Sequence, residues 1–397
     1  MALLNQNDFY YILSYNNSNP PTSPILKHNG WPATGVRNWE DKDYWYIEFV
    51  NGDAFRWFPL DTLIPSEILD KIKLGTVTLC ISNAHEAYHY VIEDIYKDVI
   101  IKYSINPRHV LYLTNSIDIG QEIEIVSKKY NLEKLQSECI LLFEYVANHE
   151  IKHRSTEYCT TFNLQKNYKK RYLTLNGLYR PHRSLLILLL KCYELLGQGY
   201  VSYNASGNVK PSPEDCYQYL KNKSKQHKEV LQLLEKNKSK LVLLDKMFID
   251  TKQNQEWHAA DYVSLNKKFY EDTYFSVVTE TLCFPDYSQA GYTLGRAISE
   301  KTFKPILNKH PFLILGVSGV LNFLHELGYR TFDPVINEKY DTYSDPVERV
   351  YHLVLEIQRL VNLNQNELVN FYEFCKKTTD YNFTVLKYKN KFNYTIT

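Results

Sequence analysis

Residues Tyr274–Gly316 hold the densest set of groups able to do chemistry. An apolar run, Phe275–Thr279, ends at Glu280. A polar loop carrying Arg296 follows. Ser299-Glu300-Lys301 then opens a helix, with Lys304 one turn on, and a second apolar run spans Pro311–Gly316. A carboxylate beside a lysine at a helix start suits a ribose and a phosphate together. The carboxylate accepts from sugar hydroxyls, and the ammonium and the free N–H groups of the first turn meet the phosphate charge. Ser and Glu are also ordinary first-turn residues, so simple capping is the competing reading of this trio. Lys301 is less expected there, because its charge opposes the helix dipole. Glu280, at the end of a strand, either faces a ligand or bonds a neighbouring loop. Arg296 stands in the approaching loop, within reach of phosphates.

Two further groups stand at strand ends. Arg180, His182 and Arg183 follow the strand Tyr172–Leu175 and precede an apolar helix over 184–196. Open α/β sheets place anion contacts there, and guanidinium forks suit a diphosphate better than a lone ammonium does. Surface salt bridges are the plainer alternative. His85, Glu86 and His89 follow the strand Val77–Ser82. His85-Glu86-Ala87-Tyr88-His89 is formally H-E-x-x-H, the zinc-protease pattern. That pattern belongs in the middle of a helix, whereas here it closes a strand. Asp41-Lys42-Asp43 spells a D-x-D metal–diphosphate motif, but next to a hairpin. Gly316, Ser318 and Gly319 lack dinucleotide or P-loop spacing. No metal site follows from these patterns.

The elements that must position these residues read as α/β. Short apolar strands over 77–82, 110–114, 172–175, 241–248, 275–279 and 312–315 alternate with helices over 64–72, 119–130, 184–196, 321–327, 346–361 and 365–376. Residues 138–149 fit either strand or helix. Trp45–Phe58, with Asn51-Gly52-Asp53 at its centre, reads as a β-hairpin. Residues 204–225 read as exposed, and the tail from Asp380 either packs back or frays.

At 397 residues with 44% hydrophobic content, the chain suits two domains with real cores. The most apolar run, Leu185–Leu190, is bracketed by Arg183 and Lys191 and is too short for a membrane span. The N-terminus lacks the pattern of a signal peptide. Seven scattered cysteines, without a C-x-x-C pair, fit reduced thiols of a cytoplasmic protein. Net charge is +1 but uneven. Residues 1–149 hold 12 Lys and Arg against 19 Asp and Glu, residues 150–252 hold 19 against 9, and residues 253–397 hold 15 against 17. The basic middle third fits an anionic partner or a solvated helical surface.

The second half resembles nucleotide-sugar glycosyltransferases of the two-Rossmann (GT-B) class, with motifs similar to the C-terminal domain of α-1,3-fucosyltransferases. Val278-Thr279-Glu280 stands where that family has an F-E-N-like strand end. Ile298-Ser299-Glu300-Lys301 matches its (I/V)-T-E-K helix start, and Pro311–Gly316 its apolar strand ending in Gly. Thr281 departs from the family's Asn, and Ser299 from its Thr. The run Phe323–Asp341 is similar to glycosyltransferase-like proteins of phages and large viruses.

The resemblance implies two Rossmann-like domains facing a cleft. Residues 1–150 would bind the acceptor and 165–345 the donor, with 346–397 bracing the two. Glu300 would hold the ribose and Lys301 the diphosphate. Arg180, Arg183, Glu280, Arg296, Ser299 and Lys304 would complete the donor site. Glu86 or His85 would be the general base of an inverting, metal-independent transfer. The donor would be a nucleotide sugar such as a UDP- or GDP-sugar, with no bound cofactor. The acceptor would be a saccharide or DNA carrying a hydroxymethylated base, and the basic segment and the many tyrosines favour DNA. A non-catalytic nucleotide- or nucleic-acid-binding protein of the same fold is the alternative. The setting would be the cytoplasm, that of the host for a viral protein.

Overall fold

The computed structural model describes residues 34–39, 42–48, 60–83, 89–154, 168–176, 180–203, 213–241, 267–284, 295–389 and 393–395. Its strands are β1 (Thr34–Trp39), β2 (Lys42–Glu48), β3 (Val77–Asn83), β4 (Val110–Thr114), β5 (Gln136–Ile140), β6 (Tyr172–Thr174), β7 (Gly199–Val201), β8 (Phe275–Thr279), β9 (Phe312–Leu315) and β10 (Asn393–Thr395). They form two sheets, ordered β1-β2-β3-β4-β5-β10 and β7-β6-β8-β9. In the first, β2 to β5 run parallel, and β1 and β10 close the edges antiparallel. The second is parallel throughout. The fold is therefore α/β with two parallel-sheet cores, as the alternating strands and helices of the sequence require.

The chain divides into two compact units. The first comprises Met1–Tyr145, Pro285–Ala297 and Asn390–Thr397, and the second comprises Val146–Phe284 and Ile298–Lys389. Both units are discontinuous in sequence, unlike the contiguous blocks 1–150, 165–345 and 346–397 that the sequence leads one to expect. The C-terminal helices, in particular, belong to the second unit as far as Lys389.

In the first unit the longer helices are α1 (Ser66–Leu74), α2 (Val91–Asp94, running on as a π-helix over Ile95–Ile101) and α3 (Ile119–Tyr130). Its core joins Leu79, Ile81, Val110 and Tyr112 of β3 and β4 to helix residues such as Ile92 and Ile123. Every residue of β4 is buried, which explains its continuous apolar run. Residues 138–149 prove to be both strand and helix. β5 ends at Ile140, and α4 (Leu142–Arg154) begins two residues later.

The hairpin lies earlier than its Asn-Gly signal places it. β2 pairs with β1 across Glu40-Asp41, and its other edge pairs with β3. Both edges of β2 are thus filled. Residues 49–59 lie outside the described residues.

The second unit contains α5 (Pro181–Cys192), α6 (Pro213–Lys223), α7 (Lys228–Lys236), α8 (Glu300–Leu307), α9 (Val320–Glu326), α10 (Pro346–Val361) and α11 (Gln365–Tyr388). α5 begins three residues before the expected apolar helix, because Pro181 at the first helical position is already set for helix. Leu185–Leu190 are all buried. A helix apolar all round must be covered on every side, and α10 packs along it. α6 and α7 fall in the Lys-rich segment, and the α11 helix extends well past its apolar pattern. The expected strand over 241–248 lies outside the described residues, apart from Leu241, which ends a short helix.

Candidate functional site

β8 is buried along its whole length and delivers Glu280 to the C-terminal edge of the second sheet. Glu280 is 3% exposed, and its carboxylate accepts three hydrogen bonds. Oε1 accepts from the Ser299 backbone N–H at 3.1 Å and from Thr302 Oγ1 at 2.6 Å. Oε2 accepts from Ser299 Oγ at 2.5 Å. Ser299 is the N-cap of α8. Its hydroxyl also accepts from the Lys301 backbone N–H at 3.3 Å and from Lys301 Nζ at 3.2 Å. A hydroxyl has one proton to give and two lone pairs, so Ser299 Oγ is fully engaged. Glu280 therefore meets the start of α8 with its carboxylate.

The backbone of the same two residues anchors a second helix. Arg183 Nη2 donates to the carbonyls of Thr279 at 3.1 Å and Glu280 at 3.3 Å. His182 Nε2 lies 2.9 Å from the Glu280 carbonyl. A carbonyl can only accept, so that ring nitrogen carries the proton. Burial holds the His182 pKa well below its ordinary value. The charges of Arg183, Arg180 and Arg349 push the same way, against the Glu280 bond. The imidazole is neutral. Thr279 Oγ1 donates to Asn176 Oδ1 at 2.8 Å, and Asn176 Nδ2 donates to the Ser202 carbonyl at 3.0 Å. The ends of β6, β7 and β8 are thereby joined.

This geometry separates the expected donor residues into two kinds. Arg183 is buried and bonds backbone. Arg180 is half-buried, in extended conformation, as the N-cap residue of α5, and makes no side-chain capping bond. Lys301 Nζ pairs with Glu300 Oε1 at 2.7 Å. Lys304, half-buried, adds its charge to the field at Glu300. Thr302 and Asn176 are contributors that the motif pattern did not single out, whereas His182 stood in the sequence with the two arginines and turns out to hold the Glu280 carbonyl. Thr302 was findable only as the third residue of a helix whose N-cap faces a carboxylate.

After β9 the chain turns at Gly319, whose φ of 81° is open to glycine without strain. Asp341 closes this turn. Its carbonyl accepts from Gly319 N and Ser318 Oγ, and Oδ2 accepts from Leu321 N at 3.0 Å. Burial raises the Asp341 carboxyl to about 6, against its backbone bonds and the Arg349 charge. The loop with neither dinucleotide nor P-loop spacing is thus filled by an internal carboxylate.

Arg296 belongs to the first unit. Its backbone N–H donates to Asp118 Oδ2 at 2.7 Å, and Nη2 lies 3.0 Å from Oδ1. The arginine expected to reach phosphates is bound to a carboxylate at the start of α3. Beside it, His89 Nε2 lies 2.8 Å from Ser116 Oγ. Burial lowers the His89 pKa to about 4, with the Asp118 charge opposing. His85 and Glu86, the expected bases, lie outside the described residues. Asp41 does too, while Asp43 is exposed on β2.

Among the described residues no group of three or more His, Cys, Asp or Glu side chains is placed to hold a metal ion. Among the same residues no helix is long and apolar enough to cross a membrane.

No protein-family model matches the chain, and no curated protein matches it. Among solved structures, it is similar to an alpha,alpha-trehalose-phosphate synthase (UDP-forming) from Burkholderia vietnamiensis, at 10% sequence identity and a TM-score of 0.32. The match covers 90% of this chain and 88% of that one. A likeness at that score carries no argument about activity.

Proposed function

We propose that the chain transfers a sugar from a nucleotide-sugar donor, such as a UDP- or GDP-sugar, to an acceptor hydroxyl. One observation carries the reading. Thr279 and Glu280 gather the starts of α5 and α8 at the C-terminal edge of one parallel sheet, with Arg180, Glu300 and Lys301 at those starts. Such edges are where open α/β sheets take their ligands. The two cations at those starts, Arg180 and Lys301, favour a diphosphate, and the Glu300 carboxylate favours ribose hydroxyls.

In the transfer, the acceptor oxygen attacks the anomeric carbon as the bond to the diphosphate oxygen breaks. Arg180 and Lys301 hold the charge that leaves, electrostatic help of the kind that dominates such reactions. Glu86 or His85 takes the acceptor proton. A hydroxymethylated base in DNA is the acceptor favoured by the lysines Lys223, Lys225 and Lys228, exposed on and between α6 and α7 with Lys223 over the Tyr219 ring. A saccharide hydroxyl undergoes the same chemistry.

The test is turnover of a nucleotide-sugar panel with hydroxymethylated DNA and with saccharides, read by mass spectrometry. Glu86→Gln is expected to keep donor binding and to lose about 10²–10⁴-fold in turnover, the range for a general base. DNA binding that is indifferent to salt between about 50 and 200 mM leaves the saccharide as acceptor. A wild-type protein that binds no nucleoside diphosphate sinks the reading.

A further inference from the structure

The geometry points to Glu280 as a positioning residue that sets the placement of the two donor-side helix starts and does not itself contact the ligand. A buried carboxylate that faced a substrate would keep lone pairs for it. Here three of about four lone-pair sites are taken by Ser299 N, Ser299 Oγ and Thr302 Oγ1, at 2.5–3.1 Å, and burial of the residue closes off the remaining one. The carbonyl of the same residue accepts from His182 and Arg183, in the first turn of α5. Its N–H donates to the Leu315 carbonyl of β9 at 2.8 Å. One residue at a strand end thus fixes α5 through its backbone and α8 through its side chain.

The arrangement also decides what α8 has left to offer. The helix begins at Glu300, so its free N–H groups lie in the turn that Ser299 and Glu280 already occupy. An internal carboxylate beside those groups repels a second anion. The start of α8 therefore contributes the side chains of Glu300 and Lys301, held in place, more than an open anion hole. Reach matters here. Aspartate keeps the charge but is one methylene too short for all three donors. Glutamine keeps the length and one strong acceptor.

The consequence for donor binding rests on the glycosyl-transfer reading, whereas the anchoring does not. The experiment follows amide hydrogen exchange in the first turn of α8 and nucleoside-diphosphate affinity by calorimetry, on the full chain. Glu280→Gln is expected to keep exchange within about threefold of wild type. Glu280→Asp, and Thr302→Val with its shape preserved, are expected to speed exchange of the Ser299–Phe303 amides by about tenfold, as for loss of one hydrogen bond worth a factor of ten. UDP or GDP affinity is expected to fall in the same order. The opposite order, with Asp tolerated and Gln not, overturns the proposal and assigns Glu280 a charge role. Loss of affinity with unchanged exchange overturns it too, and makes Glu280 a ligand contact. If the exchange order holds but the wild type binds no nucleoside diphosphate, the anchoring stands and the glycosyl-transfer reading falls.

Discussion

Lys301 Nζ stands 2.7 Å from Glu300 Oε1 and 3.2 Å from Ser299 Oγ, so the donor-side cation is held between its two sequence neighbours. Burial by itself would raise the Glu300 carboxyl. The Lys301 and Lys304 charges and the Lys301 bond outweigh it and keep the pKa below its ordinary value. Lys301→Ala is therefore expected to raise the Glu300 pKa and to weaken nucleoside-diphosphate binding by about tenfold, the effect of one charge-assisted contact. Glu300→Gln is expected to weaken nucleoside binding and to spare pyrophosphate. Calorimetry with UDP, uridine and pyrophosphate separates the two. Equal losses on all three ligands in both variants would contradict the division of roles.

The two arginines at the start of α5 should part company in stability. Arg183 is buried, and its guanidinium holds two strand-end carbonyls. Arg183→Ala is expected to destabilise the second unit by about 3 kcal/mol, since hydrogen bonds to charged groups contribute more than neutral ones. Arg180, half-buried, should change stability by less than about 1 kcal/mol while changing anion affinity. Urea denaturation of both variants checks this, and similar midpoints refute it.

Gly295 has no room for a side chain. A Cβ there would stand 1.8 Å from Ser116 Oγ and 2.2 Å from His89 Nε2. Both neighbours are buried and bonded to each other, so neither swings aside freely. Gly295→Ala is expected to destabilise by about 1–3 kcal/mol through overpacking. In a thermal-denaturation cycle with Ser116→Ala, the combined loss should be smaller than the two losses added. Strict additivity would show that the clash is relieved elsewhere.

Acid sensitivity should track His310. Its Nδ1 lies 2.8 Å from Ser276 Oγ and its Nε2 3.0 Å from the Thr273 carbonyl, and burial lowers its pKa to about 4 against the Thr273 bond. A lowered native pKa means that the unfolded chain binds the proton first. The stability present above the ordinary value near 6.5 is lost as pH falls from there towards about 4. Asp341, raised to about 6, acts in the opposite sense below pH 6. The comparison is therefore between wild type and His310→Gln. The stability difference in favour of wild type should be larger at pH 7 than at pH 5 by about 2 kcal/mol, from 1.36 kcal/mol per pKa unit. A difference independent of pH would exclude His310 as the cause.

Strands of this fold were readable where burial left one solution. Val110–Thr114, Phe275–Thr279 and Phe312–Leu315 are short apolar runs buried throughout, and such runs belong in the middle of a parallel sheet. The start of α8 was equally plain, because Ser299 and Glu300 cap it locally. What stayed hidden depends on distant partners. Nothing local to Arg296 indicates Asp118, 178 residues away in sequence. Asn-Gly-Asp is a strong turn signal, yet the pairing of β2 was decided by β1 and β3 on its two edges. The side-chain role of Glu280 was open for the same reason, since a strand-end carboxylate looks alike whether its donors come from a sugar or from a helix start.

The position of β10 has a consequence for biosynthesis. Asn393–Thr395 pair with Ile140, Cys139 and Glu138 of β5, closing an edge of a sheet whose other strands all lie before residue 141. The ribosome makes that sheet first and its last strand at the very end of this sequence. Until then β5 presents an open row of backbone donors and acceptors, the kind of edge that recruits another chain. The first sheet of a nascent chain therefore waits for residues 393–395, and loss of those three residues would uncover an edge in the part of the molecule translated first.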